Sequence, residues 1–257
     1  MGRRMVTVAD WKRFAALARR RARSPESYRR FQVEQAGMIL AYLQRKGIGL
    51  AGWRALDLGC GIGGYTLALR DAGAWVVSTD LSHRALSGLP TGLRPVCADA
   101  LHLPFADAAF DFVFCASLVE HVPDPPQMLR EVWRALKPGG QCYLSFPPFY
   151  SPRGGHQFSP YHLLGERFAT WMYRRTRARR VADWQREIVS EGSAYSQAYH
   201  GFGLHRVTIA AARRWIGQTG LEIVEISTRF SPVNTARWPV LGEFLTWHAE
   251  FLLRKPL

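Results

Sequence analysis

An α/β fold, a mostly parallel sheet with helices on both faces, is what this 257-residue sequence predicts. Three observations carry the prediction. Short apolar runs that read as buried strands alternate with helical spacing from Trp53 to Phe146. The first of them, Ala55 to Leu58, passes straight into the four-glycine turn Gly59-Cys60-Gly61-Ile62-Gly63-Gly64, after which Tyr65 to Arg70 reads as a helix. A second run, Trp75 to Thr79, ends at Asp80, 19 residues beyond Gly61. Glycine tolerates positive φ and lets a ligand come close to the backbone, while the first amides of the following helix face the turn. An acidic side chain closing the second strand can accept hydrogen bonds from both hydroxyls of a ribose. The layout suits an adenosine-bearing ligand.

The elements follow in order. Val8 to Arg23 and Glu26 to Arg45 have helical spacing, and Ser24-Pro25 is a start signal for the second. These helices form an N-terminal extension over residues 1–50, ahead of a principal domain over 51–257. Trp53 to Phe146 supplies five strands and their helices, each strand short, apolar and followed by turn residues. Pro147 to Arg206 is a long insertion after the fifth strand, expected to be a helical lid over the acceptor. Within it Leu163, Leu164, Phe168, Trp171 and Met172 stand near helical spacing before the arginine-rich run Arg174 to Arg180. Thr208 to Thr219 then reads as a helix ended by Gly220, Leu221 to Phe230 as a strand and His248 to Lys255 as the last strand.

Composition bounds the remainder. With 47% hydrophobic residues the chain can bury a sizeable core. Its four cysteines, at 60, 97, 115 and 142, lie in or beside predicted strands without a C-x-x-C pair, so they read as reduced core residues. Nothing at the N-terminus has the apolar run of a signal peptide, and no segment approaches the roughly 18 apolar residues of a membrane span. A cytoplasmic protein is expected. The net charge of +14 gathers at Arg3 to Arg30 and Arg174 to Arg180. Such runs attract nucleic acid, anionic lipid or polyanionic substrates. A solvated helix face in an arginine-rich proteome is the commoner cause, and only Lys12, Lys46, Lys137 and Lys255 are lysine among the 34 basic residues.

The order Asp57-Leu58-Gly59-Cys60-Gly61-Ile62-Gly63-Gly64, Asp80, Ala98-Asp99-Ala100, Phe110 to Phe114, Ser117-Leu118-Val119-Glu120-His121-Val122 and Leu136-Lys137-Pro138-Gly139-Gly140 resembles class I S-adenosylmethionine-dependent methyltransferases of the type 11 group. The resemblance covers Trp53 to Phe146 and Val207 to Lys255. It implies a Rossmann-like sheet of seven strands, S-adenosylmethionine as cofactor and a methyltransferase activity. It also implies roles, position by position. Asp57 would fix the glycine turn, and Gly59, Gly61 and Gly63 would lie under the amino acid part of the cofactor. Asp80 would hold the ribose and Asp99 the adenine amino group, with Leu81 and Ala100 as apolar walls. Asp111 is structural in this family.

A fold of this kind does not name the acceptor. Ligands of open α/β sheets lie beyond the carboxyl ends of the strands, so the segments after strands four and five, Ser117 to Pro125 and Pro147 to His162, should face the reacting methyl group. Glu120-His121 resembles the matching segment of ubiquinone-biosynthesis O-methyltransferases, where a carboxylate and a histidine stand beside the acceptor hydroxyl. His121 could serve as a base. From Phe146 to Phe158 the loop after strand five carries three prolines, two glycines and the polar or aromatic residues Tyr150, Arg153 and His156, with Tyr161 and His162 further on. That mixture suits a hydroxylated acceptor, and His156 is the preferred general base, with a histidine pKa of about 6.5 suited to neutral pH.

The resulting expectation is an O-methyltransferase for a small-molecule or glycan hydroxyl. Alternatives are a lipid or quinone methyltransferase in peripheral contact with anionic membrane, an RNA methyltransferase, disfavoured because no RNA-binding appendage is recognisable, and a non-catalytic activator subunit. A divalent metal is a further alternative, with Glu120 and His121 joined by His156 or His162. No tight ligand spacing supports it, and Ser117 stands where the ubiquinone group would offer another carboxylate. Oligomeric state is not legible in the sequence.

Overall fold

The structure is a computed structural model and describes residues 24–176, 204–229, 231 and 233–257. The helix expected over Val8 to Arg23, the arginine run from Arg177 onward and Phe230 lie outside these residues. Among the described residues a seven-stranded sheet has the order β3-β2-β1-β4-β5-β7-β6. Its strands are β1 (Arg54–Leu58), β2 (Trp75–Asp80), β3 (Pro95–Cys97), β4 (Phe110–Ala116), β5 (Leu136–Phe146), β6 (Glu222–Thr228) and β7 (Ala249–Arg254). Only β7 opposes its neighbours, pairing antiparallel with both β5 and β6. The predicted Rossmann-like sheet is therefore observed. Between β1 and β4 the chain reverses its direction of winding, which leaves a crevice at their carboxyl ends.

Period-two alternation explains the two faces. On β4, Val113 and Cys115 join the cluster with Leu129, Val132 and Ile216, while Phe112 and Phe114 join the opposite one with Ile39, Leu43 and Leu69. The first face is covered by helices α4 (Pro125–Ala135) and α6 (Ile209–Thr219), the second by α1 (Pro25–Arg45) and α2 (Gly64–Asp71); a short α3 (His83–Ser87) follows β2. Helix starts and stops follow the expected chemistry. Ser24 caps α1 by accepting from the Ser27 amide with Pro25 in the first turn, Thr208 caps α6 by accepting from Ala211, and Gly220 ends α6 at φ 82°. The strand expected over Leu221 to Phe230 spans Glu222–Thr228, and the last strand is Ala249–Arg254.

The insertion departs from one continuous helical stripe. Leu163 and Leu164 belong to a 3-10 turn over Tyr161–Leu164, Gly165 turns the chain at φ 95°, and only then does α5 (Glu166–Thr176) begin. A positive φ cannot be continued as right-handed helix. Ala169 and Thr170 are the buried residues of α5, whereas Leu163, Leu164, Phe168 and Trp171 are exposed. The apolar stripe faces solvent in this conformation.

Candidate active site

The glycine turn is held from three sides. Gly59 and Cys60 donate their amides to Thr79 O at 2.8 Å each. Gly61 donates to Asp80 Oδ2 at 2.8 Å, and Ser82 donates to Asp80 Oδ1 at 2.9 Å. The Leu81 amide also bonds that carboxylate, and an aspartate's two oxygens offer about four acceptor sites in all, so acceptor capacity remains for a ribose hydroxyl. Burial raises the Asp80 pKa, partly offset by those amides. Asp57 acts at one remove: its Oδ2 accepts from Thr66 Oγ1 of α2 at 2.6 Å, which ties the strand before the turn to the helix after it. Gly61 stands at φ 51° with nothing within 4 Å of the place a Cβ would occupy. Open space beside a left-handed backbone is what a ligand lying on the turn requires, and with Asp80 it fits the S-adenosyl group the resemblance implies.

The flanking positions are as follows. Asp99 lies beyond β3, half-buried, its Oδ1 accepting from Leu101 N at 2.9 Å and its Oδ2 3.9 Å from His102 Nδ1. Ala100 packs against the main core, and Leu81 O lies 3.5 Å from Cys97 Sγ. Two residues of α1 also clasp the turn, a role no local sequence signal announces. Arg29 donates to Ile62 O at 2.9 Å and to Gly88 O at 2.8 Å, and Gln32 Oε1 accepts from Gly64 N at 3.3 Å.

Across the crevice, the segment after β4 forms a short 3-10 turn, Val119–His121. It delivers Glu120, buried and, among the described residues, with neither carboxylate oxygen hydrogen-bonded. The loop after β5 brings His156 Nε2 to 3.5 Å from Glu120 Oε1, and the His156 ring meets His121 edge to face at 5.0 Å between centroids. Ligating atoms of Glu120, His121 and His156 all lie within 4.8 Å of one another. A buried carboxylate without donors carries a desolvation cost of several kcal/mol that a cation beside it would offset. Imidazolium at His156 or a metal ion would meet that need.

The loop reaches this geometry by folding tightly on itself. A Cβ on Gly155 would meet the His162 ring at 2.2 Å, and one on Gly154 would meet Phe149 O at 2.2 Å, so the glycine pair is required by packing. His156 itself stands at φ 48° and Ser117, across the crevice, at φ 58°. Non-glycine residues in this region are uncommon and gather where function holds them.

Not every predicted acceptor residue reaches the triad. His162 is turned into the loop's own core, buried, with Nε2 2.8 Å from Phe149 O and a pKa lowered chiefly by burial. Tyr161 packs on the small cluster of Phe149, Phe158, Ala169 and Leu204. Tyr150 and Arg153 pack toward the β6–β7 connection: the Tyr150 ring lies 5.6 Å from Phe244, and the Arg153 guanidinium sits 4.0 Å over Trp247.

Two histidines that linear order does not flag stand near these residues, His205 through its backbone alone. His205 donates its backbone amide to Glu120 O at 2.7 Å. His248 precedes β7, whose antiparallel direction sets its start beside the end of β5. Burial, then the charges of Arg229, His156 and Arg153, hold the His248 pKa well below the usual histidine value. Beneath it Arg229 donates to Glu250, Tyr143 and Ser145.

Comparison with known proteins agrees with this architecture. Residues 56–144 match the methyltransferase domain family model of type 11. An uncharacterized methyltransferase of Mycobacterium leprae (strain TN) is 30% identical over 237 residues, covering 88% of this chain and 82% of the relative. One from Mycobacterium tuberculosis (strain H37Rv) is 32% identical over 207 residues, covering 77% and 75%. Among solved structures, an S-adenosylmethionine-dependent methyltransferase from Mesorhizobium loti shares the fold with a TM-score of 0.56 at 22% identity, over 84% of this chain and 97% of that one.

Proposed function

The chain belongs to the class I S-adenosylmethionine-dependent methyltransferases of the type 11 group, and from that premise we propose that it methylates a hydroxyl oxygen of a small molecule or glycan. S-adenosylmethionine, when bound, supplies an electrophilic methyl group on a sulfonium sulfur. The observation that carries the oxygen assignment is the pairing of buried Glu120 with His156 at the carboxyl ends of β4 and β5. An attacking hydroxyl must lose its proton, whereas a neutral amine attacks without a base; a site furnished with a base is suited to oxygen. His156 takes that proton, and the buried Glu120 carboxylate stabilises the imidazolium that forms, at a separation of 3.5 Å before substrate draws the pair together. Tyr150 and Arg153 offer polar groups to a hydroxylated acceptor at the mouth, and alignment of acceptor with methyl group removes much of the entropic barrier.

His156→Ala should lower kcat by about 10² to 10⁴ and leave S-adenosylmethionine affinity, measured by calorimetry, near wild type. His121→Ala should be milder. Near-wild-type turnover in both variants, assayed as S-adenosylhomocysteine release with hydroxylated acceptors, would remove acid-base catalysis from the proposal. One second reading is favoured by the convergence of Glu120, His121 and His156 within 4.8 Å: these three hold a divalent ion that lowers the acceptor hydroxyl's pKa. Activity lost to a chelator and restored by magnesium would select it.

A further inference from the structure

The mouth of the acceptor loop is bordered by two segments that leave large apolar side chains in solvent. One is the 3-10 turn with α5, which exposes Leu164 at 69% and Trp171. The other is the connection from β6 to β7, which contains a short helix α7 (Leu241–Leu245) and exposes Trp238, Val240 and Leu241. The two are joined by a chain of ring contacts through the loop itself. Trp171 meets Phe168 at 5.7 Å and Phe168 meets Tyr161 at 6.1 Å; Tyr161 packs on the Phe149 cluster, Phe149 meets Tyr150 at 5.4 Å, and Tyr150 meets Phe244 at 5.6 Å. The chain of rings passes through buried Phe149, so it anchors two exposed apolar patches on one loop. Isolated exposed apolar residues are ordinary, but clusters of large ones on both sides of one loop mark an interaction site.

Charge identifies the partner. Across residues 161–175 and 233–247 the basic residues are Arg167, Arg174, Arg175 and Arg237, against Glu166 and Glu243. Both Glu243 oxygens are engaged by the Ile209 and Ala210 amides at 2.8 Å and Arg237 donates to Ile226 O at 3.2 Å, so both are turned to the protein and Arg167, Arg174 and Arg175 against Glu166 carry the charge of the face. The Arg175 guanidinium rests 4.6 Å over the exposed Trp171 ring, and that of Arg206 lies 5.1 Å over the buried Phe149 ring beneath. Aromatic and aliphatic side chains interleaved with arginines match the boundary of an anionic bilayer, where rings enter the headgroup layer and guanidinium groups meet phosphates. Val240 adds a second sign. Its φ of 56° is rare for a β-branched residue, and the side chain so displayed is 74% exposed.

We propose that this face docks the protein on an anionic lipid surface, with the acceptor loop at its centre. The docking goes beyond the hydroxyl chemistry and does not rest on it, because binding is read without turnover. The test is cosedimentation of the full chain with vesicles of equimolar phosphatidylcholine and phosphatidylglycerol, against vesicles of phosphatidylcholine alone. Wild type should pellet with the anionic vesicles and be released by high salt. Leu164→Ser, Val240→Gly and Leu241→Ser combined should reduce the bound fraction at least about tenfold, given the transfer free energy of three such side chains. Their exposure predicts an unchanged circular dichroism spectrum and thermal midpoint. Val240→Gly alone, which relieves the positive φ, keeps the test open if the triple variant fails to fold. Absence of wild-type binding, or equal binding by the variants, overturns the proposal. So does a concentration-dependent dimer abolished by the same substitutions, which would give the face to a second copy of the chain.

Discussion

Asp57 and Asp80 close neighbouring parallel strands and serve one glycine turn in different ways. Asp80 is stitched to the turn by the Gly61 and Ser82 amides, whereas Asp57, fully buried, is held by the hydroxyl and backbone amide of Thr66. Burial is the largest influence on Asp57 and pushes its pKa up to about 7, with Thr66 pulling down and Asp80 repelling. An aspartate whose folded pKa lies above its unfolded value of about 3.9 binds its proton more tightly when folded. Its stabilising contribution is complete below about pH 4 and is lost as pH rises toward 7. Asp57→Asn keeps an acceptor for Thr66 and removes the charge. The variant should therefore gain in thermal midpoint relative to wild type as pH rises from about 5 to 8. A difference that stays constant across that range would refute the raised pKa. Asp80 was legible as a strand-ending acid and the resemblance implied that Asp57 fixes the turn, yet the division of labour between them was not legible, because it depends on which amide or hydroxyl the tertiary fold brings to each oxygen.

At the scale of elements, α6 and α7 show how a distant segment completes a helix end. Thr208 caps α6 locally, and Glu243 of α7 adds its carboxylate to the Ile209 and Ala210 amides. Four amides of a helix's first turn lack partners within the helix, and an anion there also complements the helix dipole. Glu243→Ala should cost about 1 to 2 kcal/mol and loosen the β6–β7 connection, while Glu243→Gln, which keeps an acceptor, should cost less. Equal losses in urea denaturation would assign the effect to packing. The Thr208 start and Gly220 stop are readable in a single sequence because capping is local chemistry. Glu243 stands 34 residues from its partner, and nothing in its neighbourhood marks the link. Gly165 shows the converse: the apolar spacing of residues 161–172 is helical to the eye, but one left-handed glycine divides it into a 3-10 turn and α5.

Across the whole molecule, burial holds the pKa values of His162, His205 and His248 below the ordinary histidine value. Groups kept neutral in the fold and free to charge when unfolded contribute stability above their unfolded pKa of about 6.5, and that stability is lost as pH falls below it. Asp57 and Asp80, both raised by burial, act in the opposite sense, so the test is made on one group at a time. His248→Gln should gain in thermal midpoint relative to wild type as pH falls from about 7 to 5; a profile of unchanged slope in that variant would exclude His248 as a source. The sequence by itself determined the sheet, the strand-ending acids, the glycine turn and most helix limits, since period-two and period-3.6 patterns, caps and turn glycines act over a few residues. Only the tertiary structure decided which side chains share a site. Glu120, His156 and His248 come from three separate stretches of chain, and they lie together because β4 and β5 are parallel while β7 runs the other way. His162, six residues beyond His156, is turned into the loop's core by the same tight packing that lets Gly154 and Gly155 pass. Proximity in space is set by strand order and direction, and those are properties of the packed whole.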